Sequence, residues 1–394
     1  MRLIFDALHA DEFIAVRRDI HRHPELGFEE HRTSELVAER LTQWGYKVER
    51  GLGVTGVVGQ LQRGTGTRRL GLRADMDALP IDEATALDHA SRHAGVMHAC
   101  GHDGHTAMLL AAAKYLAEKS EFDGTLNLIF QPAEEGLGGA KKMMDDGLFS
   151  KYPCDAIFAM HNMPGHPQGH LLLRDGPAMA SSDNVTITLK GMGGHGAMPH
   201  RAADPVVAAA SIVMALQTVV SRNIDPLDMA VVTVGALNAG NANNVIPQNA
   251  TLKLSIRALD REVRDTLERR IKALVQAQAE SYGVRAVIDY QRGYPVLVNT
   301  LAETDFARQV ALDLVGSECV TLQSRALTGS EDFAFMLEQV PGSYLLIGNG
   351  AGDSAGACMV HNPGYDFNDD NVVVGAAYWT RLAERYLSDI PQAT

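Results

Sequence analysis

Cysteine is scarce in this chain: four residues, Cys100, Cys154, Cys319 and Cys358, in 394. Their irregular spacing excludes a disulfide framework and points to a reducing, cytoplasmic setting. Long apolar runs are missing too, so no membrane span is expected. Residues 1–10 carry Arg2, Asp6 and His9 and form no signal-peptide hydrophobic region. Positive charge is outnumbered, with 35 Lys and Arg against 48 Asp and Glu and a net charge of −13. Holding phosphates takes a basic footprint, so neither nucleic acid nor an anionic membrane is expected as partner. No internal repeat or low-complexity segment is visible.

What is present suits a globular enzyme: 46% hydrophobic and 21% charged residues, in a chain long enough for two domains. Residues 11–23, 32–45 and 106–119 read as helices, and 69–73, 125–130 and 156–160 as short buried strands. This alternation predicts an α/β fold, a mixed and mostly parallel sheet sandwiched by helices. The middle has another rhythm. Strand 185–190, helix 205–221 capped by Asp204, strands 229–236 and 251–258, helix 261–282 stopped by Gly283 and strand 284–290 give β-α-β-β-α-β, the ferredoxin-like order. Such a unit closes on itself. We therefore expect an inserted α+β lid at 184–292 and a discontinuous catalytic domain at 1–183 and 293–394. In the latter, 300–314 and 331–339 read as helices, 344–348 as a strand and 371–387 as a terminal helix.

Three of the early strands run into metal-type side chains: Asp75 and Asp77, then Glu134 and Glu135, then His161. Ligands gather at the carboxyl ends of strands in open α/β sheets. The sharpest local motif is Cys100-Gly-His102-Asp103-Gly-His105, with glycines that let the backbone turn sharply. Thiolate beside imidazole suits Zn²⁺, and also Mn²⁺, Co²⁺ or Ni²⁺. A catalytic Cys–His pair is the rival reading, but it leaves Glu134, Glu135 and His161 without work. Of two adjacent glutamates at a strand end, one can ligate metal while the other faces a water. His361-Asn362-Pro363, after a Gly- and Ala-rich loop, adds a further imidazole.

On these residues the sequence resembles the aminoacylase and carboxypeptidase family of two-metal peptidases. It is most similar to the amidohydrolase branch of hippurate hydrolases, indole-acetyl-amino-acid hydrolases and N-acyl-amino-acid amidohydrolases. The marks, in order, are His21-Arg-His-Pro-Glu-Leu-Gly-Phe28, Arg73-Ala-Asp-Met-Asp-Ala-Leu-Pro80, Met97-His-Ala-Cys-Gly-His-Asp-Gly-His105, Gln131-Pro-Ala-Glu-Glu135, Gly193-Gly-His-Gly-Ala-Met-Pro-His200, Asn244-Val-Ile-Pro247, Gly329-Ser-Glu-Asp-Phe333 and His361-Asn-Pro363.

The resemblance implies two divalent metals per subunit, Zn or Mn with Co or Ni as alternatives, held by Cys100, His102, Glu135, His161 and His361. It implies Glu134 as general acid and base, and His195 of the lid as the group that polarises the scissile carbonyl; a plain loop histidine also suits its glycine surroundings. Where other branches carry His-x-Asp, this chain has Arg73-Ala74-Asp75, so that histidine ligand is absent and Asp75 is left to orient a ligand. Asn244 and Arg257 suit the substrate's carboxylate, Arg257 equally an ordinary salt bridge; Gly329 would line the pocket. His21 and His23 read as structural, and His105 and His200 as supporting. The implied reaction is hydrolysis of an N-acetyl, N-benzoyl or related N-acyl amino acid to a carboxylic acid and a free amino acid, in a homodimer or homotetramer joined through the lid. The nearer alternative is a dipeptidase or carboxypeptidase using the same metals.

Overall fold

The computed structural model describes residues 10–388. Most of the N-terminal stretch weighed above, residues 1–9, lies outside them. Contacts divide the chain into two compact units, one of Met1–Gly176, Val298–Arg325 and Phe335–Thr394, the other of Pro177–Leu297 and Ala326–Ala334.

The first unit is built on an eight-stranded mixed sheet. Its order is Lys47–Leu52, Gly56–Arg63, Gly124–Gln131, Arg69–Asp75, Ala156–Pro164, Gly342–Gly350, Leu171–Leu172 and Val320–Thr321. The four strands from Gly124–Gln131 to Gly342–Gly350 run parallel. All nine residues of Gly342–Gly350 are buried, as expected of a strand covered on both faces. The helix His102–Glu118 is apolar nearly all round, with Ala107 to Ala113 buried without a break. It lies against the sheet and under Ala10–Arg22 and Asn371–Tyr386, which explains why it needs no polar face. The antiparallel hairpin of Lys47–Leu52 and Gly56–Arg63 was not foreseen. The helix expected at 331–339 is shorter, Phe333–Leu337.

The second unit has four antiparallel strands in the order Ala230–Ala239, Asn249–Ala258, Asp183–Lys190, Arg285–Arg292. Counted along the chain this is 2-3-1-4, the ferredoxin-like arrangement. Alternate residues of Asp183–Lys190 point inward, so Val185, Ile187 and Leu189 meet Ile212, Leu216, Leu267 and Ile271 of two helices. Those helices are Pro205–Asn223 and Arg261–Ser281. Asp204 accepts from Val206 N at 2.8 Å, and Asp260 from Glu262 N and Val263 N at 2.7 and 3.0 Å. Gly283, at φ +68°, ends the second helix. Pro205–Asn223 is long and apolar enough, by length and composition, to cross a membrane. Its Ala208, Ile212, Leu216 and Val219 are instead packed into this unit's core.

Candidate active site

Five segments of the first unit converge at the carboxyl ends of its parallel strands. Gly101 adopts φ +94° to turn the chain from Cys100 into the helix that begins at His102. A Cβ at Gly101 would sit 2.2 Å from Asn162 Nδ2 and 2.5 Å from Tyr365 Oη, so only glycine fits there. Asn162 follows His161 on its strand. Its Nδ2 donates to Cys100 O at 2.6 Å, and its Oδ1 accepts from Tyr365 Oη at 2.6 Å. The loop that carries Cys100 is thus tied to the strand that carries His161.

The ligand atoms of Cys100, His102 and His161 lie within 4.8 Å of one another. So do those of Cys100, Glu135 and His361, and those of His102, Glu134 and Glu135. Cys100 belongs to both of the first two groups. Cys100 Sγ is 3.3 Å from His161 Nε2, and His361 Nε2 is 3.2 Å from Glu135 Oε1. Cys100 and His361 lie 261 positions apart in the sequence, and their meeting is the work of the fold.

Hydrogen bonds at the back of each ring decide which nitrogen faces the cluster. His102 Nδ1 donates to Asp77 Oδ1 at 3.1 Å, leaving a buried Nε2 without a hydrogen-bond partner. His161 Nδ1 donates to Asn162 O at 2.6 Å, so its Nε2 presents a lone pair. His105 is different. Its Nε2 accepts from Asn162 N at 3.0 Å and its Nδ1 donates to Asp75 Oδ1 at 2.6 Å, so both nitrogens are used. Asp75 is occupied as well, its Oδ2 accepting from Arg73 Nη1 at 2.7 Å. These contacts fix His105 and Asp75 in place beside the cluster.

The electrostatics are those of an anionic pit. Burial, then Glu135, Glu134 and Asp75, push the Cys100 thiol well above its usual range. Burial alone would lower His102, but Asp75 and Asp77 outweigh it and raise His102 to about 10. Burial and His105 hold His161 neutral, well below the usual imidazole range. Burial opposes ionisation of Asp75, yet His102, Arg73 and His105 keep it well below the usual carboxylate range.

In the second unit His195 is exposed, on a short strand pair with Val245. Its Nδ1 accepts from Ala197 N at 3.1 Å, so the proton sits on Nε2. Asn244 O accepts from Gly196 N at 2.8 Å, which places Asn244 beside it. Arg257 is half-buried and donates to Ser330 Oγ at 2.9 Å; among the described residues it has no ion-pair partner. Gly329 is the neighbour of that serine. His21, expected to be structural, is buried and bonded through Nδ1 to Asp103 Oδ2 at 2.8 Å. The sequence reading gave Asp77 and Asn162 no task; Asp77 lies two residues beyond Asp75, and Asn162 directly follows His161.

Thiol, imidazoles and carboxylates around a shared point, at the ends of parallel strands, define a hydrolase of the metallopeptidase type. The chain belongs to Peptidase family M20/M25/M40, whose model matches residues 71–385. It is 46% identical over 376 residues to a hippurate hydrolase of Campylobacter jejuni, covering 95% of this chain and 97% of that one. It is 41% identical to IAA-amino acid hydrolase ILR1-like 2 of Arabidopsis thaliana, covering 96% and 86%. Among solved structures it resembles the Bacillus subtilis YXEP protein, a dinuclear metal binding peptidase of the M20 family, with a TM-score of 0.83 at 31% identity, covering 98% of this chain and 100% of that one. The protein is an enzyme that hydrolyses amides.

Proposed function

We propose that the chain hydrolyses the amide bond of N-acyl amino acids, releasing a carboxylic acid and a free amino acid. The relatives named above act on compounds of this class. The observation that carries the mechanism is the buried Glu134, whose carboxylate lies within 4.8 Å of the ligand atoms of His102 and Glu135.

We further propose that Cys100, His102, Glu135, His161 and His361 hold two divalent cations, Zn or Mn with Co or Ni as alternatives. The donors fit such a pair. His102 Nε2 is buried and lacks a hydrogen-bond partner, and a thiol set among carboxylates needs a cation to ionise. When bound, the metal pair supplies Lewis acidity, which acidifies water and offsets charge growing on the carbonyl oxygen. Glu134 takes a proton from the attacking water, holds it and delivers it to the leaving nitrogen. His195 donates its Nε2 proton in a hydrogen bond to the carbonyl oxygen. Arg257, with donors to spare, and Asn244 bind the substrate's carboxylate beside Gly329.

Residues 184–292 are proposed as a lid that also joins subunits in a homodimer or homotetramer. Strand Ala230–Ala239 is an unpaired sheet edge, and Met214 on the adjoining helix is 71% exposed. The four free cysteines suit a cytoplasmic location.

The test is Glu134→Gln, assayed on N-benzoyl and N-acetyl amino acids and on free dipeptides after chelation and add-back of each metal. Turnover falls by about 10³-fold or more while metal content stays at wild-type level. A variant that kept its rate would refute the assignment, and a preference for free dipeptides would refute the substrate class.

A further inference from the structure

Glu30 has no place in the chemistry above, yet it is fully buried. Its Oε1 accepts from Ala133 N at 2.8 Å, and its Oε2 accepts from Thr55 Oγ1 at 2.5 Å. Ala133 is the residue before Glu134, and it stands at φ +54°, a conformation that a side chain disfavours. Something must hold it there. Glu30 clamps its N–H, and Gly139 N donates to its carbonyl at 3.0 Å, so both backbone groups of Ala133 are tied. On the far side of Glu134, Glu135 N donates to Asp77 Oδ2 at 2.9 Å. Two buried carboxylates, from two other parts of the chain, thus hold the backbone N–H groups of the residues on either side of the catalytic base.

The clamp itself is firmly placed. Ala78 N donates to Glu25 O at 2.8 Å, laying the segment that leads to Glu30 along the one that carries Asp77. Next in that segment, Gly27 lies so close that a Cβ there would come 3.0 Å from Ala133 Cα. The side chain of Glu30 does not cap the helix it precedes, so its carboxylate is spent on Thr55 and Ala133.

We propose that Glu30 is a positioning residue for catalysis: through the N–H of Ala133 it keeps the left-handed turn that aims Glu134 at the attacking water. This rests on the reading of Glu134 as the general base. Without the clamp Ala133 relaxes toward an ordinary backbone conformation and swings the base off line, while the five metal donors keep their own supports.

The experiment compares Glu30→Ala, Glu30→Gln and Glu134→Gln as metal-loaded full-length enzymes, with N-benzoylglycine as substrate and metal content by elemental analysis. Glu30→Ala lowers kcat by about 10–100-fold, the scale of a reacting group displaced by about an ångström. KM and metal stoichiometry stay within about two-fold of wild type, because binding is left intact. Glu30→Gln restores kcat to within about five-fold, since its amide oxygen still accepts from Ala133 N. Should Glu30→Ala fail to accumulate, Thr55→Val takes its place, removing one anchor of the clamp and lowering kcat by about three-fold or more on the same argument. An unchanged kcat in the alanine variant, or in Thr55→Val where that stands in, overturns the proposal. So does an alanine variant that loses metal along with rate, or a glutamine variant as slow as alanine. If Glu134→Gln is dead while Glu30→Ala is fully active, only the clamp falls; if Glu134→Gln is active, the general-base reading falls and takes the clamp with it.

Discussion

The two units bury charge in opposite ways. In the sheet and two long helices of the second, the interior is apolar except for one closed cluster. There Asp183 accepts from Arg264 Nε at 3.1 Å, from Tyr290 Oη at 2.9 Å and from Gly293 N at 3.3 Å, and Arg264 also donates to Gly293 O at 3.1 Å. In the first unit, Arg17, Glu30, Arg73, Asp75, Asp77, His102 and Asp103 are all buried at one end of a single sheet. Part of that network stays open, at His102 Nε2 and at a thiol that burial and its carboxylate neighbours keep protonated. A closed network specifies structure; an open one holds capacity for a ligand. The contrast supports the proposal that the first unit carries the metal donors, without reference to any motif.

The sharpest way to break that contrast is to fill the open end with a side chain that cannot ionise. Cys100→Ser keeps the size of the group and removes the thiolate. Because Cys100 belongs to two separate donor groups, one with His102 and His161 and one with Glu135 and His361, its loss weakens metal binding by more than the roughly 10–100-fold that a supporting residue is worth. Metal content after dialysis and competition with a chelator both read this. A serine variant that kept its full metal content and affinity would show that the thiol is no ligand and that the pit is a structural network after all.

Next in size is the closed cluster. Asp183→Ala strands the buried guanidinium of Arg264 and the hydroxyl of Tyr290. Breaking a buried pair by removing one partner costs about 3–5 kcal/mol, because the remaining charge is left without compensation. The expected result is a loss of that size in hydrogen-exchange protection of the strands Asp183–Lys190 and Arg285–Arg292. Metal content stays unchanged, since none of Cys100, His102, Glu135, His161 and His361 lies in that unit. Metal loss in this variant would mean that the two kinds of buried charge are not separable.

Much of this was legible beforehand, for physical reasons. The β-α-β-β-α-β order could be read because Asp204 and Asp260 cap their helices, Gly283 stops one, and strand Asp183–Lys190 alternates strictly. The cluster could be read because thiol, imidazole and paired carboxylates are rare types to find at strand ends. The hairpin of Lys47–Leu52 and Gly56–Arg63 could not. Half of its first strand is exposed, and Gly51, Gly53, Gly56 and Gly59 dilute any alternation. Nor could Glu30, since a lone carboxylate has a meaning only through what it touches. Glu30 touches a backbone N–H 103 positions away, and no local pattern encodes such a contact.

The smallest effect separates burial from mere nearness in sequence. Lys141 and Asp145 sit six and ten residues past Glu135, close along the chain to the chemistry. They form an i,i+4 ion pair of 2.8 Å, with side chains 55% and 58% exposed. The order is unfavourable, with the cation toward the helix N-terminus and the anion at the end of helix Gly139–Asp145, where the helix dipole opposes both. An exposed pair of this kind contributes at most about 0.5 kcal/mol, and less in this orientation. Lys141→Ala should therefore leave the thermal midpoint, metal content and turnover within error, since alanine's helix propensity offsets what little the pair supplies. A drop in metal content or rate would show that the field of the pit reaches surface charges at physiological salt, and that depth alone does not set the two networks apart.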